Sequence, residues 1–394
     1  MEKMLLGIKV LDLTKNLSGP YCTMMLADMG AEVIKIESLP NGDDARIVPP
    51  FIKGESAYFI SVNRGKKGMT LNLKSEEGKD ILSSLIKRSD VLIENFRPGV
   101  MERLGFGYDQ VQKLNSQLVY TSISGFGQYG PYRDKRAYDM VVQGYGGIMS
   151  ITGTTDGEPV RVGYSITDLS AGLYAAIATL GALLARHTLG TGQHLDIAMY
   201  DCQIALLENA IVRYGVSGNI PAPLGNRHPS LAPFQAFKAK DSYFTIAVGN
   251  EKQFTTLCDV LGIKEIAEDD RFTTNTGRVE HIEELQSILS AIFEEEMKEH
   301  WIQVLDDAGI PCGPINTIRD IFESPHTQAR GMITEVRHPV AGNIKTSGSP
   351  IKVSGKDVLA DDPAPVLGQH NDEILKDLGL QKHEIGLLRE IGVI

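Results

Sequence analysis

The chain has 394 residues, 42% of them hydrophobic and 23% charged, which suits two or three domains, or one large domain with a smaller satellite, and a core that needs no disulfide or metal staple. Lys plus Arg total 39 against 50 for Asp plus Glu, a net charge of −11. That acidic balance argues against a nucleic-acid binder, which would carry a basic surplus, but leaves room for a local basic pocket.

The first 125 residues alternate strand and helix signals. Residues 8–13 read as a strand, residues 21–29 as a helix closed by Gly30, and residues 31–36 as the next strand. A strand is expected at 69–73 and an amphipathic helix at 75–88, where Ile81, Leu82, Leu85 and Ile86 keep helical spacing. Strands follow at 91–94 and 118–123. The alternation predicts an α/β fold with a mostly parallel, doubly wound sheet. Residues 169–185 are almost entirely apolar, and we expect a buried helix there rather than a membrane span. A strand at 194–199 follows, and then Pro221, Pro223, Gly225 and Pro229 mark a linker. A second α/β unit is expected beyond it, with a strand at 243–248 and helices around 252–261 and 281–307, the run 294–299 forming a solvated helix face. The tail, 371–388, reads as helical. The boundaries this implies are a large Rossmann-like domain from 1–200 with 330–394, a linker at 201–228, and a small α/β domain at 229–329.

Several signals carry chemistry. Gly125-Phe-Gly-Gln-Tyr-Gly130 matches GxGxxG after a strand, but Pro131 and polar residues follow where a dinucleotide site needs an opening helix. A nicotinamide site is therefore not expected, and a glycine-rich active-site loop or an ordinary turn remains. Asp168 stands immediately before the apolar helix. It is either a cap that accepts the free N–H groups or a nucleophile that the helix end keeps ionised at neutral pH. Basic residues gather in expected loops: Arg64, Lys66 and Lys67, then Arg97 and Arg103, then Arg133 and Arg136. Loops after the strands of an open sheet are where phosphates bind, with Arg and Lys as donors. The nine histidines show no HxxxH spacing and the four cysteines no CxxC spacing, so no metal site is expected. Residues 1–7 lack a long apolar run, and the expectation is a cytoplasmic protein with reduced thiols.

At these residues the sequence resembles the class III CoA-transferases, of the formyl-CoA transferase and carnitine dehydratase type. The carriers are Val10-Leu-Asp-Leu-Thr14, Gly19-Pro20, residues 26–37, Asn63-Arg-Gly-Lys-Lys67, Glu94-Asn-Phe-Arg-Pro-Gly99, residues 124–131, Asp168-Leu-Ser-Ala-Gly172 and residues 308–316. Arg330-Gly-Met332 and His338-Pro339 extend the likeness toward the end of the chain.

The resemblance implies a large Rossmann-like domain built from both chain ends, a smaller α/β domain, and two chains interlocked as a homodimer. It implies coenzyme A, brought as acyl-CoA, and a carboxylic acid as substrates, with no metal, no NAD, no nucleic acid and no membrane. Asp168 falls on the family's catalytic aspartate. Tyr138 would orient substrate, and Asn95, Arg97, Arg103 and Arg136 would contact CoA or the acid, with Arg64 and Lys66 in the same basic set. The oxalate-type enzymes carry a run of glycines in a lid, of which residues 247–252 keep Gly249, and a glutamine where this chain has Leu17. Racemases of 2-methylacyl-CoA share the fold but use a histidine where Tyr138 stands; a phenol, with a pKa of about 10, exchanges protons poorly at neutral pH. The segment 225–234 resembles relatives that use succinyl-CoA. The expectation is CoA transfer from succinyl-CoA to a small dicarboxylate, with a racemase-like enzyme or a formyl-CoA:oxalate type as alternatives.

Overall fold

The computed structural model describes residues 3–394. The chain forms two units: one of 1–148, 161–217 and 325–394, the other of 149–160 and 218–324. The first opens with β1 (Lys9–Asp12), α1 (Ser18–Asp28), β2 (Glu32–Glu37) and β3 (Lys66–Thr70). It continues with α2 (Glu76–Ile86), β4 (Val91–Glu94), β5 (Val119–Ser124), α3 (Asp139–Tyr145) and α4 (Ile166–Leu189). Next come β6 (His194–Ala198), α5 (Met199–Leu206) and α6 (Glu208–Ser217). The six strands form one sheet in the order β3-β2-β1-β4-β5-β6, and every neighbouring pair is parallel.

Successive strand residues point to opposite faces, and both faces are apolar, as a parallel sheet covered by helices on each side requires. Leu11, Ile34 and Leu92 pack with Leu82 and Leu85 of α2. Val10, Val33 and Val91 pack on the other side with Leu26 of α1 and Ala171 and Ala175 of α4. Small residues let α4 approach closely. A Cβ on Gly172 would lie 2.7 Å from the Ser18 carbonyl oxygen at the start of α1.

The second unit is built on β7 (Phe234–Lys238), β8 (Tyr243–Ala247), α7 (Glu251–Val260), α8 (Ile282–Phe293), α9 (Lys298–Asp307) and β9 (Cys312–Pro314). Its sheet, β9-β8-β7, is antiparallel, and Phe237, Phe244, Phe254, Phe293 and Trp301 fill its core. The chain then returns to the first unit with α10 (Asn371–Asp377) and α11 (Lys382–Glu390), whose Ile374, Leu375, Ile385 and Leu388 complete the core beside α2.

The structure departs from the sequence expectations in six places. The third strand of the sheet begins at Lys66, pulled early by its pairing with β2. The expected linker 201–228 is helical to residue 217, and residues 149–160 belong to the second unit. The expected helix 281–307 breaks at residues 294–297, so the acidic run is a turn between α8 and α9. The tail is two helices that turn at Gly379. Helix α4 is longer than expected and buried on one face only: Leu173, Ile177 and Leu184 are 46%, 65% and 74% exposed on the other. By length and composition α4 could cross a membrane, but its alanine face is core.

Gly172→Ala should lower stability by about 1–3 kcal/mol, because the added methyl meets a backbone oxygen that cannot swing aside. Denaturant unfolding measures this, and an unchanged midpoint would show that α1 and α4 can separate freely.

Candidate active site

In this strand order the chain reverses direction across the sheet between β1 and β4, and an open α/β sheet binds ligands outside the carboxyl ends of its strands at that point. The loop leaving β1 is held there by buried charge. Asp12 accepts from Thr14 N at 2.9 Å, Thr23 Oγ1 at 2.7 Å and Lys66 Nζ at 2.9 Å. Lys35 Nζ donates to Thr14 O and pairs with Asp43, both at 2.8 Å, and Asp43 accepts from Asn16 N at 2.9 Å. Burial alone would raise Asp12, but Lys66 and Lys35 overcome it and hold the carboxyl far below the usual range. Burial pulls Lys66 down to about 8 against the opposing charge of Asp12.

Two residues expected to face a phosphate are thus part of the scaffold. Lys66 is fully buried and also donates to Pro20 O and Asn63 Oδ1. Arg64 is buried, forks onto both oxygens of Asp28 at 2.9 and 2.7 Å, and donates to Ser347 O. Asn95 is turned inward as well: its Oδ1 accepts from Lys15 N, and its Nδ2 donates to Lys15 O and Ser18 Oγ.

The arginines after β4 and β5 do reach solvent. Arg97, Arg103, Arg133 and Arg136 are exposed. Gly99 has φ +82°, and a Cβ placed on it would lie 3.2 Å from Arg103 Nη1 and 3.8 Å from Arg133 Nη2. Two guanidinium groups therefore converge on one tight turn, beside Arg97. The adjoining glycine loop has no helix opening inside it; the next helix is α3. Its Gly127 N–H donates to Ser124 Oγ and its Gln128 N–H to Asp196, so these two amides are occupied.

Asp168 lies in the first turn of α4, third from its start, and the cap position is Ser165. The helix end is served by Asp139 instead, which accepts from Thr167 N at 2.9 Å, Thr167 Oγ1 at 2.7 Å and Gln143 Nε2 at 2.6 Å. This removes the reading of Asp168 as the helix cap, and burial opposes the ionisation that the helix end was expected to favour. Burial, then the charge of Asp139, pushes the Asp168 carboxyl up to about 7, against a stabilising hydrogen bond from Ser18.

Tyr58, on the short helix Ala57–Ser61, gave no sequence signal. It is half-buried, and burial followed by the charges of Asp168, Asp43 and Asp139 pushes its phenol up to about 12. It is a firmly neutral donor in the field of Asp168. Tyr138, by contrast, is 75% exposed at the start of α3, and its neighbour Asp139 is the residue that points inward. Leu17 is half-buried at the start of α1, and its carbonyl accepts from Tyr21 N. Gly249 belongs to the second unit, where it is exposed and donates to Gln253 Oε1. Among the described residues, no group of three or more His, Cys, Asp or Glu side chains could hold a metal ion.

A carboxyl group that ionises near neutrality, two hydroxyl donors and a set of solvent-facing arginines suit attack on the acyl group of an anionic substrate. The sequence profile of CoA-transferase family III matches residues 5–371. The chain belongs to CoA-transferase family III. It is 39% identical over 394 residues to the human succinyl-CoA:glutarate CoA-transferase, covering 100% of this chain and 90% of the relative. It is 42% identical to the acetyl-CoA:oxalate CoA-transferase of Acetobacter aceti, covering 94% and 95%. A crystal structure of a CAIB/BAIF family protein from Brucella suis superposes with a TM-score of 0.84 at 40% identity, covering 95% of this chain and 99% of that one. As a family III CoA-transferase the protein is an enzyme that works on acyl-CoA and carboxylate substrates.

Because folding raises the pKa of Asp168, its neutral form favours the folded state below pH ~4 without penalty, and the cost accrues as pH rises toward about 7. Asp168→Asn should match the parent in stability near pH 4 and exceed it above pH 7, by at most on the order of 4 kcal/mol. Thermal melts across this range test it, and parallel curves would show an ordinary surface carboxylate.

Proposed function

We propose that this family III CoA-transferase moves CoA from succinyl-CoA to a small dicarboxylic acid, with Asp168 as the nucleophile. The observation that carries the reading is the placement of Asp168 at the start of α4, beside Ser18 and in the field of the neutral Tyr58. One Asp168 oxygen attacks the thioester carbonyl carbon, the C–S bond breaks, and an aspartyl anhydride and CoA thiolate form. The thiolate attacks the aspartyl carbonyl, and the donor acid leaves as its carboxylate. The acceptor carboxylate then attacks the aspartyl-CoA thioester and expels the thiolate again. The thiolate returns to the acceptor's acyl carbon, which frees the new acyl-CoA and the Asp168 carboxylate. One thioester replaces another, so no ATP is needed. Hydroxyl donors at Ser18 and Tyr58 suit the successive oxyanions, and the Arg97, Arg103, Arg133 and Arg136 set suits the phosphates of CoA.

Dicarboxylate acceptors are supported by the names of both enzyme relatives, glutarate and oxalate. Leu17, where the oxalate type carries a glutamine, favours the larger acid over oxalate. The exposed phenol of Tyr138, in place of a histidine, speaks against proton exchange at an α-carbon. Four unpaired thiols support a reducing compartment, the cytoplasm.

A panel pairing succinyl-, acetyl- and formyl-CoA with glutarate, branched dicarboxylates and oxalate, read by mass spectrometry, tests the reading. Succinyl-CoA with glutarate or a branched acid should exchange fastest, and the rate should fall about tenfold per pH unit below pH 7. Asp168→Ala should lose on the order of 10³-fold or more. Near-normal exchange by Asp168→Ala removes the nucleophile from the account, and preferred oxalate transfer moves the enzyme to the oxalate type.

The second proposal is a homodimer. Helix α6 has no buried residue, and its Ile211, Val212, Tyr214 and Val216 are exposed, as are Leu173, Ile177 and Leu184 of α4. Apolar helix surface on this scale needs a cover. Sedimentation should report twice the 43.0 kDa chain mass; a monomer at micromolar concentration would refute it.

A further inference from the structure

The Asn95 amide has its whole bonding pattern fixed inside the fold. Oδ1 accepts from Lys15 N at 2.8 Å, while Nδ2 donates to Lys15 O at 2.8 Å and to Ser18 Oγ at 3.4 Å. A flipped amide would set donor against donor and acceptor against acceptor at Lys15, so its orientation is determined. An amide nitrogen donates only. It therefore occupies a lone pair of Ser18 Oγ and leaves the hydroxyl proton to point elsewhere, and the group that receives it is Asp168.

The frame around this chain of bonds is rigid. Ser18 is 3% exposed, and its carbonyl abuts Gly172, one turn along α4 from Asp168. On the other side, Glu94 is buried and its Oε2 accepts from Phe96 N at 2.8 Å, which fixes the turn that runs on to Arg97 and Gly99. From α3 the carboxyl of Asp168 faces the charge of Asp139, with Arg161 4.0 Å from Asp139; from the helix 57–61 it faces Tyr58; from α1 it faces the uncharged Ser18.

We propose that Asn95 is a positioning residue for the nucleophile: it aims the Ser18 hydroxyl at one oxygen of Asp168 and leaves the other oxygen free to attack. The inference rests on Asp168 as the nucleophile. It replaces the sequence expectation that the Asn95 side chain touches CoA, because no polar atom of that amide is left over. It also joins the arginine turn to the reacting carboxylate through two consecutive residues, Asn95 and Phe96.

The test uses Ser18→Ala, Ser18→Thr, Asn95→Ala and the double variant, each also made with Asp168→Asn. Melts from pH 4 to 9, comparing each variant with its Asp168→Asn partner, give the pH at which Asp168 ionises. That pH should rise by up to about one unit in Ser18→Ala and in Asn95→Ala, and by no more in the double variant. Ser18→Thr, which keeps the hydroxyl, should restore it. In exchange assays the two alanine variants should lose roughly tenfold in kcat at pH 6, less at pH 8.5, with KM for acyl-CoA unchanged. An unmoved ionisation in Asn95→Ala, or a raised KM with intact kcat, overturns the proposal. If Asn95→Ala does not fold, Asn95→Ser, whose shorter side chain keeps a hydroxyl near Lys15 but withdraws the donor from Ser18, decides on the same criterion. The melts need no turnover, so a protein that shifts as expected yet transfers no CoA would count against the transferase reading while leaving the alignment of Asn95, Ser18 and Asp168 standing.

Discussion

The site depends on a set of charges that water never reaches. Asp12, Lys66, Lys35 and Asp43 are all buried, and between them they bind the backbone at Thr14 and Asn16. Burying such ions is costly, and replacing a whole set by apolar side chains is often neutral or stabilising. What an apolar replacement would lack is direction. Asp12, Lys35 and Asp43 are each aimed at a particular N–H or C=O of the loop between β1 and α1, Lys66 braces Asp12 and the Pro20 carbonyl, and Asn16 is held at φ +63°, a conformation few side chains adopt. The loop is thereby fixed, and with it Ser18.

A second tension sits at the start of α4. A helix end favours one nearby anion, and here Asp139 takes that place with three hydrogen bonds. Asp168, one residue beyond the backbone amide that Asp139 holds, is then raised by burial and by that like charge. A carboxylate of ordinary basicity would be a feeble nucleophile; one raised toward neutrality is more basic while still ionised in good part.

Much of this was legible in the sequence. The strand–helix alternation gave the parallel sheet because both faces are apolar, and a run such as Val91-Leu-Ile-Glu94 can be read from residue type alone. Asp168 stood out because it is the one acid in the opening turn of an otherwise apolar helix. The roles of Arg64 and Lys66 were hidden, since a cation beside a strand looks the same whether it meets a phosphate or a buried aspartate; only the fold brings Asp28, 36 residues away, onto Arg64. Asp139 and Tyr58 were invisible for the same reason, since their partners lie far off in the chain. The helical content of 201–217 was masked by the prolines that follow it, and Asn95 read as a ligand contact because a conspicuous amide beside an arginine invites that reading.

The return of the chain to its first unit bears on synthesis. Leu92 is made early, yet Ile374 and Leu375, which cover its side of the sheet, emerge about 280 residues later. At a ribosomal pace of about 5–20 residues per second, that apolar face lacks part of its cover for roughly 15 s to a minute. The core beside α2 is therefore completed only when α10 and α11 have been made, so the earliest strands acquire some of their neighbours long after they themselves are synthesised.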